Sequence, residues 1–214
     1  MCESYNLSNL KSIIISLLII VLINSCADKN IGDNSQHVDS IKSIVKEGDI
    51  VFRRGEGVVS RIVLAGDING KYSHIGMIIN ENDTLKVAHS VPGEHNDDLD
   101  FDRVKIDAIE IFFSQNYASA GAVMRLNLSD EQRKTLSKSA IDKERQNVKF
   151  DHNYDLNDTC SLYCTEFIQL LYSNIGIDIS ESRRTTAFVP GLQGDYIMPS
   201  DIYTNKKLKL IYNY

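Results

Sequence analysis

Cys164 lies in the run Ser161-Leu162-Tyr163-Cys164-Thr165-Glu166-Phe167-Ile168, where a loop turns into a helix, and two histidines, His74 and His89, lie upstream in apolar runs of strand character. A thiol must lose its proton before it can attack a carbonyl, and imidazole is the side chain whose ordinary pKa suits that exchange near neutral pH. A second polar group then holds the first imidazole in the right tautomer. Unpaired backbone N–H groups in the first turn of a helix favour the thiolate, and the Cys164 N–H is a natural donor to an oxyanion. These residue types therefore point to acyl chemistry, with Cys164 as nucleophile, one histidine as base and the other as its orienter. On this reasoning Cys164 should alkylate faster than Cys160. Two imidazoles and one thiolate are also adequate zinc ligands. No close pair such as Cys-x-x-Cys or His-x-x-x-His accompanies them, so neither a metal nor a cofactor is expected.

The elements that must position these groups are legible in part. Tyr72 to Asn80 and Thr84 to Ser90 read as two strands separated by Glu81-Asn82-Asp83, a hairpin signal. A two-residue loop at Glu81-Asn82 would set His74 directly opposite His89 on one face, with Cβ atoms about 4.5–5.5 Å apart. A slip of one residue would throw His89 to the other face. Cys164, Phe167, Ile168, Leu171 and Ile175 recur at helical spacing, so Tyr163 to Ile175 reads as a helix with Cys164 toward the core, stopped by Gly176. Packed on the sheet, that helix would bring the thiol to the histidine face. Gly48 to Phe52 reads as a turn into a strand, Val58 to Ala65 as a short helix, and Arg103 to Ile111 and Ala122 to Leu126 as strands. Ser129 to Asn147 reads as a helix opened by a Ser129/Gln132 capping box. The tail ends in an alternating strand through Leu208 to Tyr212. Glu94 to Asp102 reads as a solvated acidic loop lacking the Gly and closing Glu of a calcium site. The fold class is α+β, an antiparallel sheet packed by a few helices.

The 214 residues suffice for one domain with a sizeable core. A formal net charge of −6 and the lack of a long basic run exclude nucleic acid as a partner. Ile13 to Ile23 is apolar except for Ser16 and follows Lys11. That is short of the roughly 20 residues a membrane span needs and suits a signal-peptide core. It ends at Ile23-Asn24-Ser25-Cys26, which is similar to a bacterial lipobox. The expected organisation is a signal peptide over residues 1–25, lipidation at Cys26, a polar tether over 26–45 and the folded domain over 46–214. The lipid would hold the protein to a bacterial membrane in the cell envelope. With two cysteines assigned to export, Cys160 and Cys164 remain, too few for a disulfide scaffold.

Several pieces together resemble the YiiX/YebB-like group of circularly permuted, NlpC-type papain-like cysteine hydrolases. They are Gly48-Asp49-Ile50-Val51-Phe52, Tyr72-Ser73-His74-Ile75-Gly76-Met77, the strand ending at His89, Tyr154-Asp155, Leu162-Tyr163-Cys164-Thr165-Glu166-Phe167 and Met198-Pro199-Ser200-Asp201-Ile202. The resemblance spans roughly residues 46 to 212. It implies a permuted papain-like fold in which the histidine strands precede the cysteine helix, with Cys164 as nucleophile and His74 as base. The third polar residue of that group, often a glutamate, is matched by His89, as in the related lecithin:retinol acyltransferase-like proteins. Tyr163 and Glu166 are candidates for shaping the substrate cleft. The implied activity is amide hydrolysis of cell-wall peptides. Hydrolysis or transfer of acyl groups on lipids is the alternative, and a non-catalytic binding protein on the same scaffold is the competitor from another class. The sequence does not specify an oligomeric state.

Overall fold

The computed structural model describes residues 34–95, 97–158 and 160–214. The expected signal peptide and the lipidation residue Cys26 lie outside them. The expected polar tether differs in its second half: Ser35–Ile44 forms helix α1. Val38 and Ile41 recur on one helical face, and with Val45 they are buried against Val51, Ile78, Phe112 and Val123. Among the described residues no helix is long and apolar enough to cross a membrane.

The fold is α+β, as expected. Strands β1 (Ile50–Arg54), β2 (His74–Glu81), β3 (Thr84–Val91), β4 (Arg103–Asp107), β5 (Ala120–Arg125) and β8 (Lys209–Asn213) make one sheet in the order β4-β3-β2-β1-β5-β8. Its paired strands are antiparallel. Helix α2 (Val58–Gly66) follows β1, and the short α3 (Ile109–Phe112) follows β4. The strand expected to run from Arg103 to Ile111 therefore stops at Asp107. Helix α4 (Asp130–Arg145) begins at the expected capping box: Gln132 N–H donates to Ser129 Oγ at 3.2 Å, and Ser129 N–H to Gln132 Oε1 at 2.9 Å. Helix α5 (Cys164–Ser173) starts at the thiol itself. A separate hairpin of β6 (Thr185–Val189) and β7 (Leu192–Tyr196) precedes α6 (Pro199–Tyr203).

Both faces of the sheet are covered, because β1 and β2 are apolar on both sides. Ile50, Phe52, Ile75, Met77 and Ile79 pack with Leu136 and Ala140 of α4 and Phe167, Ile168 and Leu171 of α5. Val51, Ile78 and Val87 pack with α1 and with Phe112 of α3. Each fully buried aliphatic or aromatic side chain contributes on the order of 1.5–3 kcal/mol by leaving water. Two buried polar ties join these elements. Asp49, fully buried, accepts from Arg125 Nε at 2.7 Å and Arg125 Nη2 at 2.6 Å, joining the start of β1 to the end of β5. Tyr172 donates its hydroxyl to the Gly48 carbonyl at 2.8 Å. On the outer side, Asn34 Nδ2 donates to the Phe113 and Ala118 carbonyls, and the His37 ring stacks on Tyr214 at 4.2 Å. Asn34 thus lies against the last residue of the sequence, and Tyr214 in turn exchanges backbone hydrogen bonds with Gly121.

Candidate active site

The two histidines meet, through a register that differs from the expected one. Glu81 pairs with Thr84 and Met77 with Ala88, so the hairpin loop is Asn82-Asp83. Both residues have positive φ, 52° and 61°, the conformation a tight two-residue hairpin turn demands and Asn and Asp tolerate. Relative to the expected pairing the partner of each β2 residue shifts by two positions, which preserves the face. Continued toward the sheet end, this register sets Gly76 beside His89 and His74 on the diagonal. The rings reach each other all the same: His74 Nε2 and His89 Nδ1 are 2.8 Å apart, with ring planes at 73°. Gly76, between the two rings in this register, leaves no room for a side chain. A Cβ there would lie 2.6 Å from Val87 Cγ1 and 3.1 Å from the Phe112 ring.

A third member of the array was not legible in the sequence. Asp107 Oδ2, at the end of β4, lies 2.9 Å from His89 Nε2. Asp107 sits on the same face because it pairs with Val87, two residues from His89. Its signal was a carboxylate near the edge of a predicted strand. Burial pushes the Asp107 carboxyl up, but the hydrogen bond and charge of His89, with Lys105 and Arg53, outweigh this and hold it below the ordinary carboxylate range. Asp107 is therefore an acceptor at neutral pH. That fixes the protons: His89 Nε2–H donates to Asp107, His89 Nδ1 is left as acceptor, and His74 Nε2–H donates to it. The free lone pair of His74 is then on Nδ1. Burial, followed by the charge of Arg53 and the neighbouring ring, holds His74 well below the ordinary imidazole range. His89 is also lowered, burial outweighing its hydrogen bond to Asp107. Both rings are neutral at pH 7.

Cys164 stands at the first position of α5, as expected, but α5 packs on the opposite sheet face from the histidine rings. The thiol comes to β2 at its beginning, where the Ile75 amide, one residue from His74, points at the sulfur together with the amides of Thr165 and Cys164. Two ties set this junction. Ser90, next to His89, donates its hydroxyl to the Leu162 carbonyl at 2.6 Å. The Ile197 peptide is held from both sides, its N–H donating to the Tyr163 hydroxyl at 3.1 Å and its carbonyl accepting from Thr165 Oγ1 at 2.5 Å. The expected activation of the thiol is not the resting condition. Burial pushes the Cys164 thiol up to about 11, against the three amides and the Arg53 charge, which favour the thiolate. Desolvation outweighs the helix terminus here. The resting pair is thus a neutral thiol and a neutral imidazole.

The two cleft candidates next to the thiol are placed differently from each other. Tyr163 is 3% exposed and its hydroxyl is engaged by Ile197, so it braces the helix start. Glu166 accepts from the Tyr163 N–H at 3.4 Å and lines a cavity of about 400 Å³ with Leu156, Leu162, Leu170 and Ile197. Burial, with repulsion from Asp151, Asp158 and Asp155, raises its carboxyl to about 8. Neither lines the cleft at His74. Tyr154 instead borders the thiol: its hydroxyl is pushed to about 12 by burial and by the Cys164 charge, and its φ is 54°.

The cleft beside His74, about 350 Å³, is walled by Arg53, Glu56, Val58, Val59, Glu94 and Tyr117. Arg53 pairs with His74 across β1 and β2, so it shares the histidine face. Among the described residues no group of three or more His, Cys, Asp or Glu side chains is arranged to hold a metal. His89 has both ring nitrogens committed to the array, so a zinc ion on the two imidazoles and the thiol would require breaking it.

The family model for permuted papain-like amidase enzymes, YaeF/YiiX, C92 family, matches residues 44–212. A solved structure described as metalloprotein YiiX from Escherichia coli O157:H7 superposes with a TM-score of 0.63 at 19% identity, covering 79% of this chain and 97% of its own. At that identity the likeness speaks for the fold alone. No curated protein matches the sequence.

Proposed function

Since the chain belongs to the C92 family of permuted papain-like amidases, we propose that it is a lipid-anchored cysteine amidase of the cell envelope that cleaves cell-wall peptides through a Cys164 acyl-enzyme. The observation that carries this reading is the His74–His89–Asp107 array, whose His74 is the neighbour of Ile75, the residue whose amide faces the Cys164 sulfur. In the proposed reaction His74 Nδ1 takes the thiol proton as the sulfur attacks the amide carbonyl, giving a tetrahedral oxyanion and an imidazolium. The proton then passes to the leaving amine as the C–N bond breaks. Water, deprotonated by the same nitrogen, releases the acid and restores the thiol. His89 stabilises the imidazolium by accepting from His74 Nε2–H, and the buried Asp107 carboxylate supplies the negative charge at the far end. The Cys164 and Thr165 amides, which face the sulfur from the first helical turn, are the candidate oxyanion donors.

A peptide is favoured over a lipid because charged groups, Arg53, Glu56 and Glu94, line the cleft. Val58, 74% exposed at the cleft rim, supports an apolar substituent on the substrate and keeps a lipid acyl hydrolase or acyltransferase as the second reading. The test is intact-mass spectrometry after exposure to activated acyl probes, peptide-like and lipid-like. One adduct on Cys164 that is lost in His74→Ala is the expected result, and the preferred probe decides between the two substrate classes. No adduct from either kind of probe would sink the hydrolase reading.

A further inference from the structure

Arg53 is an unusual residue to find on the wall of a cleft. It is 3% exposed and occupies an interior sheet position beside His74. Its Nη1 donates to the Phe112 carbonyl at 3.0 Å, and its guanidinium lies 4.6 Å from the Phe112 ring centroid and 5.2 Å from that of Tyr117. The side chain is therefore held on two sides with one edge of its fork presented to the cleft. On that edge Nη2 meets Glu94 Oε1. The other oxygen, Glu94 Oε2, is buried without a hydrogen-bond partner. Burial lowers the Arg53 pKa, and the charge of Glu94 opposes this.

These facts conflict with a purely structural ion pair. A guanidinium and a carboxylate pair best through two parallel hydrogen bonds, with both oxygens engaged. Here only one oxygen meets the fork, and the other has lost its water and gained nothing. Glu94 comes from the β3–β4 connection, whereas Arg53 is fixed in the sheet. The fixed partner is built for an anion, and the partner that fills it fits poorly. We propose that Arg53 is the anchor for a carboxylate on the substrate, and that Glu94 holds its place until such a carboxylate displaces it. The inference rests on reading this cleft as the place where acyl chemistry occurs. It narrows the substrate class to amides with a free carboxylate near the scissile bond, as a peptide with an acidic side chain or a free C-terminus has. Glu94 then acts as a built-in competitor. A neutral amide cannot supply the charge that a buried guanidinium requires, so it leaves Glu94 in place.

The test measures binding to the Cys164→Ala protein, which cannot turn substrate over. Titration calorimetry compares glutaranilic acid, which carries a carboxylate, with pentananilide, which does not. Adding Glu94→Gln should tighten the acid roughly tenfold, the scale of a competing close charge pair, and leave pentananilide nearly unchanged. Arg53→Gln placed on the Glu94→Gln background leaves no unpaired Glu94 charge, and the Asp107 carboxylate keeps His89 and Lys105. It should abolish preference for the acid while pentananilide still binds, which reports an intact cleft. An acid affinity that does not rise with Glu94→Gln, or a preference that survives Arg53→Gln, would overturn the proposal. Turnover of p-nitrophenyl butyrate by the unaltered protein tests the hydrolase reading separately. Carboxylate preference without turnover would fault the reaction and leave the anchor standing.

Discussion

Asp107 and His74 are bridged by His89, yet Asp107 decides which nitrogen of His74 carries the proton. The carboxylate takes the proton on His89 Nε2, which makes His89 Nδ1 an acceptor, which in turn takes the proton on His74 Nε2. Asp107→Asn replaces a charge with an amide that can donate as well as accept, so this assignment is lost. Activity toward the acyl probe that labels Cys164 should fall about 10²-fold or more, with little change in melting temperature. Wild-type rates in Asp107→Asn would mean that the array does not serve the base.

Alkylation should distinguish the two domain cysteines in the opposite order to the one the helix start alone suggests. Cys160 is exposed, whereas burial raises the Cys164 thiol to about 11. At pH 7 iodoacetamide should mark Cys160 first, and the Cys164 rate should climb as pH approaches 11. Peptide mapping of the time course reads this directly. Faster labelling of Cys164 at pH 7 would mean that an ion pair with His74 already exists in the resting protein.

Glu166 should make stability depend on pH. Its folded pKa, about 8, lies above the ordinary 4.5. Between those values the folded state holds a proton that the unfolded state has released, so stability falls as pH rises through that window. Glu166→Gln removes the effect. The variant should melt near the wild-type temperature at pH 4 and above it at pH 8. Equal differences at both pH values would show that the carboxyl ionises freely in the fold.

Gly76→Ala should damage the site more than the fold. The added methyl would press on Val87 and on the Phe112 ring, against which both histidine rings pack. Overpacking of this kind costs typically about 1–3 kcal/mol. The melting temperature should drop by several degrees, and the activity loss should exceed what the unfolded fraction explains. Normal activity in a folded Gly76→Ala protein would mean that the ring contact tolerates displacement.

The sequence carried the thiol, the two histidines and their common face, because strand alternation and helical spacing are local properties. The rings of His74 and His89 still meet with the loop at Asn82-Asp83, because the shift from a Glu81-Asn82 loop is even. Asn82 and Asp83 were both available as turn residues, and the choice between them and Glu81 rests on backbone sign, which residue type specifies weakly. Asp107 was hidden because Ile109 to Phe112 continues the apolar character of β4, so that strand and helix merged. The face on which α5 packs was not legible either: β2 is apolar on both sides, and alternation cannot say which side a helix covers. The β6–β7 hairpin was missed because only Ala187, Leu192 and Tyr196 in it are buried.

The contact between Asn34 and Tyr214 has a consequence for ancestry. Helix α1 and the end of β8 meet on the sheet face that carries the histidines, opposite the face that α5 covers. A short connector would join them into a ring, and the ring could be cut again in a surface loop between β5 and α5 at little cost in packing. The result would be a chain in which the cysteine helix comes before the histidine strands, the order of unpermuted papain-like enzymes. Such a reordering needs no new contacts, because α1 and β8 already lie side by side.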